Sequence, residues 1–265
     1  MAHEFDGEKY AKASAHQKEW GASIVEGLGF EGTERVLDLG CGDGVITSQI
    51  AELLPQGDVV GIDASQGMID VAREKERHNL RFILKDIDFL DFIDEFDLVF
   101  SNAALHWVKD HNRLLRNVQQ ALRAGGKIRF NFAADGNCSS FFKVVREAMA
   151  MEKFMAYFSG FQWPWYMPTV NEYQTVADRS GLRNGKVWGE NADRFFPDAQ
   201  TMVKWVDQPS LVPFLSFVAE GDKEKFRSFV VNRMIDETQQ NDGRCFETFR
   251  RINVSAQKCG PPKES

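Results

Sequence analysis

The residues most able to bind a ligand lie in one short glycine-rich segment. Asp38, Gly40, Cys41, Gly42 and Gly44 belong to the run DLGCGDG, which follows an apolar stretch and precedes a helical pattern. Glycines at a strand-to-helix turn let the backbone approach a ligand closely, and the helix that follows offers free N–H groups. The segment therefore predicts a ligand-binding turn.

A carboxylate stands where such a ligand would need one. Asp63 comes 23 residues after Gly40, at the carboxyl end of the second predicted strand, where it can hold two ribose hydroxyls. Two other interpretations stay open. The turn could hold no ligand, or it could bind NAD, although the fingerprint G-x-G-x-x-G needs glycine where the chain has Val45.

A third group of polar and aromatic residues follows the fourth predicted strand, in the run SNAALHW at 101 to 107. His106 has three interpretations: a general base, a side chain that orients a substrate carboxylate, or a structural histidine. We expect Trp107 to form a pocket wall. Ligands of open α/β sheets bind at this edge, so these residues are candidates for the site of chemistry.

The elements around these residues alternate between two periodicities. Short apolar runs predict strands at 35–39, 58–63, 81–85, 96–102 and 127–132, and helical spacing predicts helices at 8–28, 45–54, 66–76 and 110–123. Strands alternating with helices predict an α/β fold with a doubly wound, mostly parallel sheet.

The second half of the chain has a less regular pattern. It predicts a helix at 171–182, a bulged strand at 186–196, and an antiparallel last strand at 244–258 that completes a seven-stranded sheet. We expect residues 1–133 to form the cofactor-binding core, to which 171–197 and 241–258 add the rest of the sheet. The segments 134–170 and 198–240, inserted after strands 5 and 6, would form a helical cap over the active site.

Composition limits the possible partners. The 32 basic and 39 acidic residues give a net charge of −7, which repels a nucleic-acid backbone. No apolar run reaches the roughly 18 residues that a spanning helix needs, and four separated cysteines indicate neither a metal site nor disulfides. We expect a cytoplasmic protein that acts on a small molecule, with no nucleic acid, membrane or metal; the oligomeric state stays open.

The G-x-G-x-G spacing after Asp38 resembles motif I of class I methyltransferases. The resemblance implies a Rossmann-like fold and S-adenosyl-L-methionine as cofactor, with S-adenosyl-L-homocysteine as product. It also implies that Asp38 acts through water near the cofactor's ammonium group, that Asp86 accepts from the adenine amino group, and that Asn102 backs the methionine portion. The resemblance places further cofactor contacts at Ala64, Ser65, Met68, Ile87 and Ala103.

Longer stretches narrow the resemblance. SNAALHWVKDHNRLL and VWGENADRFF are similar to trans-aconitate methyltransferases, and the N-terminal YAKASAHQK resembles juvenile hormone acid methyltransferases. Both families esterify carboxylic acids. The likeness implies that Gln17 and Trp107 hold the substrate carboxylate, and that Tyr10 and Ser14 close over the cofactor.

The chain departs from the trans-aconitate enzymes in that N-terminal segment. Those enzymes carry arginines in this segment, and here Gln17 and Glu19 stand in that stretch, so a tricarboxylate should be a poor substrate. The aromatic stretch MEKFMAYFSGFQWPWYM at 151–167 either favours an apolar acid or packs on itself. Three alternatives to an acid methyltransferase stay open: a malonyl-thioester carboxyl methyltransferase of biotin synthesis, a cofactor-binding protein without turnover, and an NAD-dependent reductase.

Overall fold

The computed structural model describes residues 15–260, with side chains from Lys18 onward except at position 209. The chain divides into two compact units. The first comprises the chain up to Ala134, Trp165–Glu190 and the chain from Arg251 onward, and the second comprises Asp135–Pro164 and Asn191–Arg250. None of the described helices combines the length and the apolar character that crossing a membrane requires.

A seven-stranded sheet forms the first unit. Its strands are β1 (Arg35–Leu39), β2 (Asp58–Asp63), β3 (Leu80–Leu84), β4 (Phe96–Asn102), β5 (Leu122–Ala133), β6 (Arg183–Asn191) and β9 (Arg250–Gln257). They lie in the order β3-β2-β1-β4-β5-β9-β6. Strands β1 to β5 pair in parallel, and β9 pairs antiparallel to β5. The predicted doubly wound sheet with an antiparallel last strand is therefore confirmed.

Helices cover both faces of this sheet. They are α1 (Ala15–Glu26), α2 (Val45–Leu53), α3 (Gln66–Arg73), α4 (His111–Ala121) and α6 (Val170–Asp178). Neighbouring side chains of a strand point to opposite faces: Val36 belongs to a core cluster with residues of α1, α2 and α3, whereas Leu37 belongs to another with residues of α4 and α6. Burying each such side chain contributes about 1.5–3 kcal/mol, so both layers hold the carboxyl edge of the sheet in place.

The candidate site lies at the carboxyl ends of the parallel strands, at the point where the strand order reverses. Strand β1 lies between β2 and β4, so the chain leaves β1 towards one side of the sheet and returns on the other, which opens a crevice beyond the strand ends. Helix α2 begins directly after Gly44 and buries Ile46, Thr47, Ile50 and Ala51. This burial fixes the glycine-rich turn against the sheet.

Two predicted strands were wrong in their extent. The run 186–196 forms two strands, since β6 ends at Asn191 and β7 (Arg194–Phe196) pairs antiparallel with β8 (Cys245–Glu247) in a separate two-stranded sheet. The run 244–258 likewise divides into β8 and β9. At the break, the Asp193 carboxylate accepts from the Phe249 N–H at 2.9 Å, so a side chain takes the place of the backbone acceptor that strand pairing would supply.

The second unit is mainly helical. It contains α5 (Ser139–Ala150), α7 (Ala199–Trp205), α8 (Val212–Leu215) and α9 (Glu220–Thr238), together with β7 and β8. The start of α5 is held by the buried Glu247, whose carboxylate oxygens accept from the N–H groups of Ser140 and Phe141 at 3.2 and 2.9 Å. A carboxylate at a helix N-terminus satisfies backbone donors that the helix leaves unpaired.

Candidate functional site

The glycine-rich turn is shaped for close approach at one position. Gly40, Gly42 and Gly44 have positive φ angles of 71°, 56° and 75°. A β-carbon would lie 2.2 Å from the Ala104 Cβ at Gly40 and 2.6 Å from the Phe82 ring at Gly44, whereas at Gly42 it would meet no described atom within 4 Å. Gly40 and Gly44 therefore serve packing, whereas the space beside the α-carbon of Gly42 is open.

Cys41 belongs to the same turn but lacks a reactive thiol. Its backbone N–H, like that of Gly40, donates to the Ile62 carbonyl, at 2.9 and 2.8 Å respectively. The side chain is buried, and burial raises the pKa of the thiol well above its usual range. Cys41 thus contributes backbone geometry rather than a nucleophile.

Asp63 is fixed between the turn and the next helix. One carboxylate oxygen accepts from the Gly42 N–H at 3.0 Å, and the other accepts from the Ser65 N–H at 2.9 Å. The residue is half-buried at the end of β2. Because each carboxylate oxygen can accept more than one hydrogen bond, Asp63 can also receive a pair of neighbouring hydroxyl groups.

Asp38 is a buried carboxyl at the end of β1. The Thr47 hydroxyl donates to Asp38 Oδ2 at 2.7 Å, and the Asp38 side chain is only 2% exposed. Burial raises the pKa of Asp38 to about 7; the Thr47 hydrogen bond opposes this shift, and the charge of Asp63 adds to it. A cation bound beside Asp38 would favour the ionised form.

The residues predicted around an adenine ring follow β2 and β3. Asp86 is half-buried, and its Oδ1 accepts from the Asp88 N–H at 2.9 Å. Ile87 is buried, with Cδ1 3.9 Å from where a β-carbon of Gly40 would be. Ser65 is buried and caps α3 by accepting from the Met68 N–H at 3.4 Å, so its hydroxyl is used by the helix. Ala64 is half-buried, and Met68 is buried.

The end of β4 is held between β5 and α1. Ala103 has a positive φ of 58°, and its N–H donates to the Asn131 carbonyl at 2.7 Å. A β-carbon at Gly21 of α1 would lie 2.9 Å from Asn102 Nδ2, so only glycine lets α1 pack this closely on Asn102. These contacts place Asn102 and Ala103 at the crevice.

His106 lies in a short 3-10 turn, Leu105–Trp107, just beyond this point. The side chain is half-buried overall, but Nδ1 is inaccessible to solvent and has no hydrogen-bond partner among the described residues. Burial lowers the pKa of His106 to about 3, with smaller contributions from Arg251 and His111. The imidazole is therefore neutral near pH 7.

His111 is a positioning residue that the sequence did not reveal. Its Nε2 donates to the Leu105 carbonyl at 3.0 Å, since a carbonyl can only accept, which leaves Nδ1 to accept from the Tyr173 hydroxyl at 2.9 Å. Burial lowers the pKa of His111 to about 4. Its sequence position indicated only a helix start, although its neutral ring fixes the turn that carries His106.

Trp107 faces a second tryptophan across the same turn. The Trp107 and Trp165 ring centroids lie 5.4 Å apart with an interplanar angle of 58°. The Tyr166 N–H donates to the His106 carbonyl at 2.7 Å, and Lys109 Nζ donates to the Trp165 carbonyl at 3.0 Å. The pair therefore forms a fixed aromatic wall beside His106.

The rest of the aromatic stretch packs within the second unit. Phe158 lies 5.6 Å from Phe161 and 5.4 Å from Phe226, and Phe161 stacks on Phe214 at 5.1 Å. Burial of these rings against one another accounts for their number. Of the residues in the stretch, Trp165 and Tyr166 are those whose contacts reach the turn at His106.

Three predicted site residues depend on the N-terminal segment. Tyr10 and Ser14 lie outside the described residues, and the structure places the backbone of Gln17 in α1 without describing its side chain. The residues after Gln17 do contact the site: Lys18 Nζ pairs with Asp43 at 2.7 Å, and Trp20 lies on Arg251. Helix α1 is thus packed against the crevice.

Comparison with known proteins finds methyltransferases. A family model described as a methyltransferase domain matches residues 31–195. The trans-aconitate 2-methyltransferase of Deinococcus radiodurans is 32% identical over 197 residues, which are 72% of this chain and 75% of the relative. The malonyl-[acyl-carrier protein] O-methyltransferase 1 of Ilyobacter polytropus is 31% identical over 126 residues, 47% of this chain and 46% of that one.

A solved structure has the same fold. The phosphoethanolamine N-methyltransferase 2 of Haemonchus contortus, in complex with phosphomonomethylethanolamine and S-adenosylhomocysteine, superposes with a TM-score of 0.57 and 20% identity over 91% of this chain. The present chain spans about half of that protein, 52% of its length. At this identity the likeness establishes the fold, and the acceptor must be argued from the site itself.

Proposed function

Since the chain belongs to the class I S-adenosylmethionine-dependent methyltransferases, we propose that it transfers the methyl group to a carboxylate oxygen of a small, apolar acid. The observation that carries this proposal is the neutral, half-buried imidazole of His106 at the carboxyl edge of the sheet, whose Nδ1 has no hydrogen-bond partner among the described residues. Such a group can orient an acceptor that needs no deprotonation.

The residues of the turn fit the cofactor. Asp63 offers both carboxylate oxygens to the ribose hydroxyls, Gly42 leaves room at the backbone, and Asp38 provides a buried negative charge for the ammonium group. When bound, S-adenosylmethionine supplies a methyl group activated by its sulfonium. The protein must then hold the acceptor in line with that methyl group and keep water out.

Proton transfer decides between acceptor classes. A hydroxyl or an ammonium acceptor must lose a proton to react. With a pKa of about 3, His106 is too weak a base to take up that proton at pH 7. A carboxylate is already ionised at that pH. It needs only orientation, for which the neutral His106 imidazole and the neighbouring Trp107 are suitable side chains.

The wall beside His106 favours an apolar acid. Trp107 and Trp165 are both half-buried and lie 5.4 Å apart. Aromatic faces bind apolar groups well and offer little to additional carboxylates. We propose that the hydrocarbon part of the acid lies against this pair while its carboxylate lies near His106.

Matched acceptors test the proposal. The full chain is incubated with methyl-labelled cofactor and hexanoic acid, hexanamide, hexanol and hexylamine, with phenylacetic acid and trans-aconitic acid alongside. We expect label only with the acids, in a product that releases methanol in alkali, and less with trans-aconitate than with the monoacids. Label that is stable to alkali, or transfer to the amine or alcohol, would contradict carboxylate methylation.

A second candidate is methylation of a malonyl thioester, favoured by the likeness to the Ilyobacter polytropus enzyme. That likeness covers less than half of the chain. The two functions differ in their need for a carrier. Malonyl-loaded carrier protein is assayed beside the free acids, and preference for the carrier-bound substrate by a large factor in kcat/KM would replace the first proposal with the second.

A further inference from the structure

We propose that Arg251 is the positive charge that binds the carboxylate of the acceptor and so determines the preference for acids. This inference rests on the proposed function and adds a residue that the sequence patterns did not identify. It places the recognition of the acid on the antiparallel strand β9, far along the chain from the cofactor-binding turn.

Arg251 lies beside the carboxyl ends of β5 and β4. In the pairing of β9 with β5, Arg251 is opposite Ala133, at the carboxyl end of β5. Its Nη2 donates to the Asn131 carbonyl at 3.3 Å, and the same carbonyl accepts from the Ala103 N–H at 2.7 Å. The guanidinium therefore adjoins the end of β4, which leads into the turn of His106.

A buried amide network holds the guanidinium in one orientation. Arg251 Nε donates to Asn131 Oδ1 at 2.8 Å, and Nη2 donates to the same oxygen. The Asn131 amide donates to Asn253 Oδ1 at 2.9 Å. Asn253 Oδ1 also accepts from Arg129 at 2.8 Å, and its own amide donates to Glu190 at 2.9 Å. In this hydrogen-bond network, the orientation of each side-chain amide is set by its bond to the next residue. Asn131 must therefore present its oxygen to Arg251.

The surroundings of Arg251 strengthen its interaction with an anion. Arg251 is only 3% exposed, and its guanidinium carbon lies 4.6 Å from the centroid of the Trp20 ring in α1. A charge in such a low-dielectric setting acts strongly on its neighbours. The charge of Arg251 also contributes, after burial, to the lowered pKa of His106.

Guanidinium chemistry matches the proposed ligand. Its planar N–H donors form two parallel hydrogen bonds with a carboxylate, and charge-assisted bonds of this kind are stronger than bonds between neutral groups. An amide, an alcohol or an amine of the same shape cannot supply the negative charge. We therefore expect Arg251 to select small carboxylic acids over their uncharged analogues, with Trp20, Trp107 and Trp165 contributing apolar surface.

Two substitutions of Arg251 test the inference in the full chain. Arg251→Gln removes the charge, and Arg251→Lys keeps the charge but loses the planar donor pair. The matched control is Arg129→Gln, which removes another guanidinium from the same network. Affinities of hexanoate, phenylacetate and hexanamide for each protein, saturated with S-adenosylhomocysteine, are measured by calorimetry, together with the affinity for S-adenosylhomocysteine and the melting temperature.

We expect Arg251→Gln to weaken acid binding by about tenfold or more, because it removes a charge-assisted hydrogen bond. Hexanamide and S-adenosylhomocysteine should bind with unchanged affinity. Arg251→Lys should show a smaller loss for the acids, and Arg129→Gln little change. If Arg251→Gln fails to fold, the Arg251→Lys variant decides: unchanged acid affinity in it overturns the inference, as does unchanged acid affinity in a folded Arg251→Gln protein.

The outcomes also separate this inference from the proposed function. Esters formed with the same KM by native protein and Arg251→Gln would overturn the role of Arg251 and leave acid methylation standing. If acid binding depends on Arg251 but no ester forms, the role of Arg251 stands and acid methylation is overturned. Native protein that binds none of the acids overturns the inference, while binding of S-adenosylhomocysteine separately tests the cofactor site.

Discussion

The α-carbon of Gly40 faces the methyl group of Ala104 so closely that a β-carbon on Gly40 would lie 2.2 Å from the Ala104 Cβ. This contact joins the turn after β1 to the loop after β4. The glycine-rich turn and the loop that leads to His106 therefore pack directly against each other, and a change at Gly40 should disturb both.

Substitutions of Gly40 and Gly42 should have different consequences. Gly40→Ala combines a clash with a φ of 71°, and we expect it to lower the free energy of unfolding by about 2–4 kcal/mol. Gly42→Ala has a φ of 56° but no described atom within 4 Å, so it should cost about 1–2 kcal/mol. Denaturant titration measures both values.

Gly42→Ala should nevertheless weaken binding of S-adenosylhomocysteine, because its methyl group occupies the space where the ligand approaches the backbone. Calorimetry on the folded variant tests this expectation. Cofactor affinity equal to that of the native protein would mean that the ligand does not approach at Gly42.

Cofactor affinity should depend on pH through Asp38. Burial raises the pKa of Asp38 to about 7, and the cofactor's ammonium group favours the ionised carboxylate. Binding should therefore release a proton near pH 7 and tighten as pH rises towards 8. Calorimetry in buffers of different ionisation enthalpy measures the proton release, and Asp38→Asn should abolish it together with most of the affinity.

The same carboxyl predicts a stability effect without ligand. The folded-state pKa of Asp38 lies above that of the unfolded chain, so its contribution to stability is greatest at low pH and is lost as pH rises through about 7. Asp38→Asn should therefore gain stability relative to the native protein between pH 4 and 7, and the difference should stay constant above that. A constant difference over the whole range would contradict the raised pKa.

Cofactor affinity should depend on Asp63 more than on Asp58, the other aspartate at an end of strand β2. Strand β2 begins at Asp58 and ends at Asp63. Asp63→Ala removes the acceptor for the Gly42 and Ser65 N–H groups and the proposed ribose ligand, so cofactor affinity should fall at least tenfold. Asp58→Ala, which loses ion pairs with Arg35 and Arg81 at the opposite end, should leave that affinity unchanged in calorimetry.

The rate of methyl transfer should not report a histidine titration. With a pKa of about 3, His106 stays neutral from pH 6 to pH 8, so kcat at saturating substrates should be flat over that range. A base of ordinary pKa would give a rise in kcat near pH 6.5. His106→Asn should raise the KM of the acid more than it lowers kcat, whereas His78→Asn, at an exposed position, should change neither.

His111 should act on the acceptor side of the site through the turn. His111→Phe removes the bond to the Leu105 carbonyl, and we expect a loss of about 1–3 kcal/mol in unfolding free energy and a higher KM for the acid. Tyr173→Phe keeps that bond and serves as the control, with a smaller loss of stability and little change in KM. Equal KM values for native protein and His111→Phe would exclude a positioning role.

Much of the core fold follows from local patterns. Strands β1, β2 and β4 match their predicted bounds, since a run such as RVLDL between glycine-rich turns has one stable place in a parallel sheet. The glycine-rich turn and Asp63 were predicted for the same reason, because each is defined by neighbours in the chain. The division of the strands at 186–196 and 244–258 was missed, since it depends on contacts between distant residues: Asp193 and Phe249, which are hydrogen-bonded at the break, are 56 residues apart.

The sequence by itself therefore determined the sheet, the turn after β1 and the carboxylate after β2, because glycine spacing and apolar periodicity act over a few residues. Only the tertiary structure decided the state of His106 and the position of Arg251. Burial and electric fields depend on groups that folding brings together, such as Arg251 and Asn131, which are 120 residues apart in the chain.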